Sequence, residues 1–562
     1  MSIRKVIQFA VAMLAGSVSA YFAVSFFSVF YTSLFSFLLL SLLFSVLFQS
    51  VAFFLIGELI EIVRLKWRTE MVGLFALLLA GGLAAATLGL CWQFPTLFNR
   101  RILFVDGRDV MIFAALTLLS AGAVTAWLFV LTKRGDADRF CKSRVHGWVR
   151  DNLAGLLLAS LFFVTYFALA ETINFPGFRT LDQYFDTDIS AWLARLQAAS
   201  PREVVDEVRA VHPAVLLFLR PLVWLVSLLL NGDRLHATFI VHALAAALCV
   251  FLMWKIVRRA TSDTSYALVA ASLLGASASH ILLGSMLETY IYSALALLFF
   301  VSLLQNEPIS LKSTVLAGVI VFGITVTNLA QTVILYFAKQ PRFKVIFTYG
   351  MLVVGIVFAL NLVQVWIYPA ARLMVPSNLQ GEQRYQFDLV SAPWRMTGRA
   401  SLMTRAVMLY GIVAPNPFVL MEELGMNIPN FRTFKITVGE FHVAGYTGLA
   451  DVTAKVWMLI LVGAVILFII GWFGKQKPVL SLGLLVCIGF NFALHVLYGD
   501  DPLLYSPDWV YALVLFVAFS FGRYADRKWL QIPFIAFLVP VMIVNLNLVR
   551  QIMEVSAPFY GH

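Results

Sequence analysis

The chain predicts an all-α polytopic membrane protein, and three observations predict it. Of its 562 residues 61% are hydrophobic and only 13% charged, against about 45–50% and about 25% in soluble domains. Too few polar side chains remain to cover a water-soluble surface. The apolar residues fall in long unbroken runs, such as 110–132 and 456–473, close to the ~20 residues a transmembrane helix needs. An outer-membrane barrel would instead alternate over strands of about ten residues. The charges gather between the runs, mostly as Lys and Arg. Soluble enzyme, disordered linker, collagen and disulfide-rich module are all excluded. The net charge of +11 reflects the cytoplasmic loops of a membrane protein rather than a nucleic-acid partner. Cys91, Cys141, Cys249 and Cys487 are scattered and suggest neither disulfides nor zinc.

Taken in order, the expected spans are 6–27, 30–58, 71–93, 110–132, 153–170, 236–257, 266–284, 287–304, 345–368, 452–473, 479–497, 503–522 and 530–549. The first resembles a signal peptide, with Arg4 and Lys5 before an apolar run, and is read as a retained span. Arg64, Lys66 and Arg68 mark an inner loop after the second span. Arg100, Arg101 and Arg108 fall outside on this scheme. The basic stretch 133–152 is the next inner segment and separates an N-terminal bundle of about four spans, 1–132, from a larger body. In that body the segment 213–230 is apolar enough to cross. Crossing would strand Lys255, Arg258 and Arg259 outside, so it is read as an interfacial helix, which Arg220 and Pro221 also suit. By the same parity, 313–337 is a short hairpin turning near Thr325, Thr327, Asn328 and Gln331. Two large outer loops result, 171–235 and 369–451, and long loops of this kind are usually functional.

The first loop carries Asp182, Asp186 and Asp188, with a helix expected to start near Asp186 or Asp188. One of the three suits helix capping. Three in seven residues exceed what a cap needs, and suit a general base or a divalent cation (Mg or Mn) held by Asp186 and Asp188, with no cofactor as the alternative. His212 precedes Pro213 at the start of the interfacial helix. Glu288 and Tyr290 lie at an outer turn, where a carboxylate is costly unless partnered or functional. Arg384, Arg395, Arg399, Arg405 and His442 on the second loop, with Arg432 and Lys435, suit an anionic ligand such as a phosphate. Arg395 and Arg399 share a helix face. For any single one of them contact with lipid headgroups is the commoner reading. His495 and Tyr505 flank a further polar outer turn.

This order of features resembles the GT-C glycosyltransferases: an acidic outer loop at 182–188, then His212-Pro213-Ala214-Val215, a span ending inside on Arg258-Arg259, an outer turn with Glu288, a hairpin and a further span. The resemblance implies a conserved module over 153–368 and a variable module over 369–562. It implies an inverting transfer of a sugar from a polyprenyl-phosphate donor to a glycan, lipid or protein acceptor, on the outward face of a bacterial plasma membrane. A loop aspartate is the base in that family; the role is carried to Asp188 first, then Asp186. The rival reading is a transporter or flippase of a lipid-linked sugar, which would favour repeated halves and ionisable groups at the midplane.

Overall fold

A computed structural model describes residues 3–134, 139, 142–174, 183–387, 393–421, 429–474 and 477–559. Among these, ten helical segments are long and apolar enough to cross a membrane, so the chain is an all-α integral membrane protein. Two compact units divide it, one of residues 1–71, 98–154 and 227–233, the other of 72–97, 155–226 and 234–562.

In the first unit, polar side chains join the helices. Gln49 donates to Ser17 Oγ and to the Thr117 carbonyl, both at 3.1 Å, and accepts from Ser120 Oγ at 3.0 Å. In lipid, such groups and small residues replace the hydrophobic drive to associate. Gly16 shows the close approach: a Cβ there would meet the Gln49 Cα at 2.5 Å. One expectation fails here. The two spans expected at 30–58 and 71–93 are present as Leu34–Glu61 and Glu70–Gln93, but the basic stretch between them is helical rather than a loop, so one helix runs over Leu34–Gln93. No Gly or Pro interrupts 58–72, and Glu, Leu, Arg, Lys and Met there are good helix formers.

In the second unit, contacts sort the helix ends. At one end Tyr184 Oη donates to Ser556 Oγ (2.9 Å), Val208 bridges Ala371 and Arg372 pairs with Glu207 (3.2 Å). At the other, Arg259 donates to Asn306 (2.7 Å), Gln531 to Asp263 (3.2 Å) and Lys339 meets Glu307 (3.5 Å). The last pair closes the hairpin expected at 313–337. It consists of helices Leu311–Ile324 and Leu329–Lys339 around a turn at Val326–Asn328. The turn reaches the first end, where Val326 N–H donates to the Val211 carbonyl and Ala214 N–H to that of Gly323. Buried polar groups below it are mutually satisfied: Asn328 donates to Asp508, Gln331 to Asn328 and Tyr511 to Gln331, at 2.7–2.9 Å.

Helix Val215–Leu229, expected to lie along the interface, has 15 residues and rises about 22 Å, short of a ~30 Å hydrocarbon layer. Arg220 within it and Arg234 beyond it both donate to the Ala198 carbonyl, at 2.7 and 2.9 Å. Several predicted spans are shorter than expected. The segment 266–284 splits at Ser277 into Thr264–Ala276 and Ala278–Leu283, because Ser277 caps the second helix by accepting from His280 N–H. The spans 287–304 and 503–522 contract to Tyr290–Leu304 and Pro507–Ser520. Sequence periodicity also missed two antiparallel β-hairpins in the second large loop, Phe418–Met421 with Pro429–Arg432 and Phe434–Thr437 with Glu440–Val443.

Candidate active site

The two large loops meet at one end of the second unit. Tyr184 forms a β-bridge to Phe431, and Phe185 N–H donates to the Phe431 carbonyl at 2.8 Å. The chain then turns sharply, with Phe185 and Asp186 both in the left-handed region (φ 58° and 63°). That conformation is costly for residues with a Cβ and is found where surrounding contacts enforce it. Here the enforcement is visible. Phe185 is fully buried beside Phe431. The Asp186 carboxylate pairs with the Arg432 guanidinium and accepts from Asp501 N–H (2.7 Å). Asp501 in turn accepts from the Thr433 N–H and hydroxyl and from Leu503 N–H. Burial pushes the Asp501 carboxyl above its usual range.

This corrects the role expected of Asp186. Its carboxylate ties the first loop to the strand at Arg432 and the turn at Asp501, a tethering role that the sequence did not suggest. Among the described residues no three His, Cys, Asp or Glu side chains assemble a metal site. Asp182 lies outside the described residues.

Asp188 is placed differently. It precedes helix Ile189–Gln197 in the N-cap position, and its backbone carbonyl accepts from Trp192 N–H, yet its side chain makes no capping hydrogen bond. The Asp188 N–H is instead held by Glu288 Oε1 at 2.5 Å, while Glu288 Oε2 accepts from Thr289 N–H at 3.1 Å. Glu288 is buried. Burial, and then the charge of Asp188, push its carboxyl up to about 8. Arg195, about two helical turns from Asp188, is buried too. It donates to the Glu207 carbonyl (2.7 Å), lies over the Trp192 ring and leaves its Nε without a hydrogen-bond partner. Thr187 Oγ1 is likewise buried and unpartnered. Buried polar atoms are normally satisfied, so these two set the surroundings of Asp188 apart from the rest of the loop.

Beside this lies an aromatic and cationic wall. Arg209 pairs with Glu382 (3.4 Å) and covers the Tyr385 ring, and Tyr498 Oη donates to Glu382 (2.7 Å). Tyr290 packs edge-on against Tyr505, and His495 stacks on Tyr505 with ring centres 4.3 Å apart. Asp188, Glu288, Tyr290, His495 and Tyr505 are thus predicted residues that the fold brings to one end. Arg195, Arg209, Glu382 and Tyr498 were missed as site residues. An arginine seven residues after Asp188, on the same short helix, was the signal available for Arg195. Nothing in the sequence pairs Arg209 with residues some 170 and 290 positions away.

The other predicted ligands have structural partners. His212 is buried and edge-on to Trp192. Burial, reinforced by Arg209, pushes its imidazole down to about 3, and its Nδ1–H donates to the Ile324 carbonyl at 2.7 Å. It latches the hairpin tip. Arg399 is corrected most sharply. It is completely buried and its guanidinium donates to the carbonyls of His495, Tyr498, Gly499 and Asp500. Arg405 donates to the Ala444 carbonyl (3.0 Å). Arg384 is exposed over Tyr385, and Arg395 lies over Trp394. The expected Arg395–Arg399 phosphate clasp is therefore broken up, since the Arg399 guanidinium is buried and turned to these loop carbonyls. His442 sits on the outlying hairpin between Glu440 and Thr437, both 3.1 Å away. The chain matches no family model, no curated protein and no solved structure.

Proposed function

We propose that the chain is a membrane glycosyltransferase of GT-C type, moving a sugar from a polyprenyl-phosphate donor to an acceptor hydroxyl on the non-cytoplasmic face. The observation that carries this reading is Asp188: a carboxylate at a helix start that does not cap the helix, with its backbone fixed by Glu288 and cations beside it. Asp188 takes the proton of the acceptor hydroxyl. The acceptor oxygen then bonds to the anomeric carbon as the bond from that carbon to the phosphate oxygen breaks, with inversion. Arg195 and Arg209 offset the charge that develops on the phosphate. Arg258, Arg259, Lys339, Arg523 and Arg527 belong to the opposite end of the unit, which favours an outward-facing site under the positive-inside rule.

The test is Asp188→Asn in the purified full-length protein, assayed with polyprenyl-phosphate sugars. Asn keeps the shape but cannot accept a proton, so turnover should fall by about 10²–10⁴ with folding intact. Full turnover by this variant would remove the assignment. A lipid-linked-sugar transporter is the second reading, favoured by the buried polar chain through Asn328, Gln331, Tyr511 and Asp508. Sugar transfer in detergent, where no gradient or second compartment exists, would exclude it.

A further inference from the structure

A second cationic feature lies apart from Asp188. Arg220 of helix Val215–Leu229 donates to the carbonyls of Arg195 and Ala198, both at 2.7 Å, and Arg234 donates to the same Ala198 carbonyl at 2.9 Å. Two guanidiniums thus share one oxygen's hydrogen-bonding sphere, and each lowers the other's preference for charge unless an anion lies nearby. They open onto a cavity of about 330 Å³, also lined by Leu196, Ala199, Pro201, Pro221, Trp224 and Tyr368. Among the described residues no carboxylate lines it. The nearby Glu203 is committed to Ala199 N–H and Ser200 Oγ, both at 3.0 Å. Leu222, Trp224 and Leu225 of the same helix remain exposed. Since this helix is too short to cross alone, those side chains face the layer where lipid headgroups meet acyl chains, and Trp favours that depth.

We propose that this cavity binds the phosphate of an anionic lipid headgroup, clasped by Arg220 and Arg234 while the acyl chains run along Leu222, Trp224 and Leu225. The occupant is not the phosphate that leaves in the transfer reaction. Helix Ile189–Gln197 separates Asp188 from the cavity wall, and its nine residues rise about 13 Å. A base acts only within hydrogen-bond reach.

The experiment is native mass spectrometry of the full-length protein in neutral detergent, titrated with phosphatidylglycerol, phosphatidylcholine or inorganic phosphate. The expected result is retention of one phosphatidylglycerol, no comparable retention of phosphatidylcholine, and no competition by millimolar inorganic phosphate. Retention should weaken about tenfold or more in Arg220→Gln and in Arg234→Gln. Arg220 also supports the Ala198 loop, so Arg234→Gln supplies the reading if Arg220→Gln misfolds. Equal retention in the folded Arg234→Gln protein overturns the site. Displacement of the lipid by inorganic phosphate overturns the lipid assignment in favour of a soluble anion. The measurement involves no sugar transfer, so it stands or falls separately from the role of Asp188.

Discussion

Arg399 shows how one residue type serves opposite purposes. On a loop beside a membrane, an arginine reads as a ligand for phosphate. Buried against the turn 495–500, it instead satisfies four carbonyls with one planar fork, a geometry lysine cannot reproduce. Arg399→Ala should therefore destabilise the protein by at least about 3 kcal/mol, because several carbonyls lose their donors in a buried site. Arg399→Lys should rescue little of this. Thermal unfolding of the purified variants checks the claim, and a wild-type midpoint for Arg399→Ala would refute it. Glu288 offers a different reading, through pH. In an unfolded chain a glutamate titrates near ~4.3, whereas burial and the Asp188 charge push the folded group up to about 8. Between these values the folded protein keeps a proton that the unfolded chain has lost. The stability gained is complete below the lower value and is lost as pH rises towards the upper one. Thermal midpoints should fall between pH 5 and 8, and Glu288→Gln, which still offers an oxygen to Asp188 N–H, should flatten that fall. An unchanged slope would show that Glu288 is not the titrating group.

Among the elements, the paired helices Leu311–Ile324 and Leu329–Lys339 decide the sidedness of everything after them. Because Glu307 and Lys339 meet, the chain enters and leaves this hairpin at one end, and the loops 183–234 and 368–387 share the other. Cysteines placed at Ser200 and Ser377 should react with an impermeant thiol reagent from the same side of a vesicle, and one at Ser310 from the opposite side. Labelling of Ser200 and Ser377 from different sides would break the hairpin arrangement. The hairpin was legible in the sequence because charge parity demands it and Thr325, Thr327 and Asn328 supply a polar turn. The unbroken helix through Arg64 was not: a charged stretch signals a loop only if the backbone there has a reason to leave the helix, and none exists. The break at Ser277 rests on a side-chain cap of a kind that serine makes in many places without ending a span.

For the whole molecule, composition settled the class of fold and the charge bias settled which residues share an end. Pairings across long stretches of chain escaped such reasoning. Asp186 and Asp188 are indistinguishable by spacing, and only the approach of Arg432 and Asp501 separates a tether from a candidate base. The same limit applies to the second loop, whose cations look alike in sequence yet divide into a buried structural fork, a strand-pairing partner and exposed side chains. Asp186→Ala should accordingly impair folding of the two loops together, while Asp188→Asn spares it. Limited proteolysis in both loops should reveal the difference, and a protease pattern for Asp186→Ala matching wild type would leave the tether without consequence.

The short helices at the centre of the second unit bear on how the protein is made. Leu311–Ile324 and Leu329–Lys339 extend about 21 and 17 Å, too little to traverse a ~30 Å hydrocarbon layer alone. Thr264–Ala276 and Pro507–Ser520 are equally brief and almost wholly enclosed by protein. Such segments gain little by partitioning singly from a translocation channel into lipid. They have to wait beside it until longer neighbours such as Arg234–Thr261 and Phe343–Ile367 offer a protein surface to enter. Biogenesis of this unit is then a delayed, collective insertion: in ribosome-bound chains halted shortly after residue 340 the segment 311–339 should still crosslink to the translocation channel or a chaperone, and in chains long enough for 343–367 to clear the ribosome it should not.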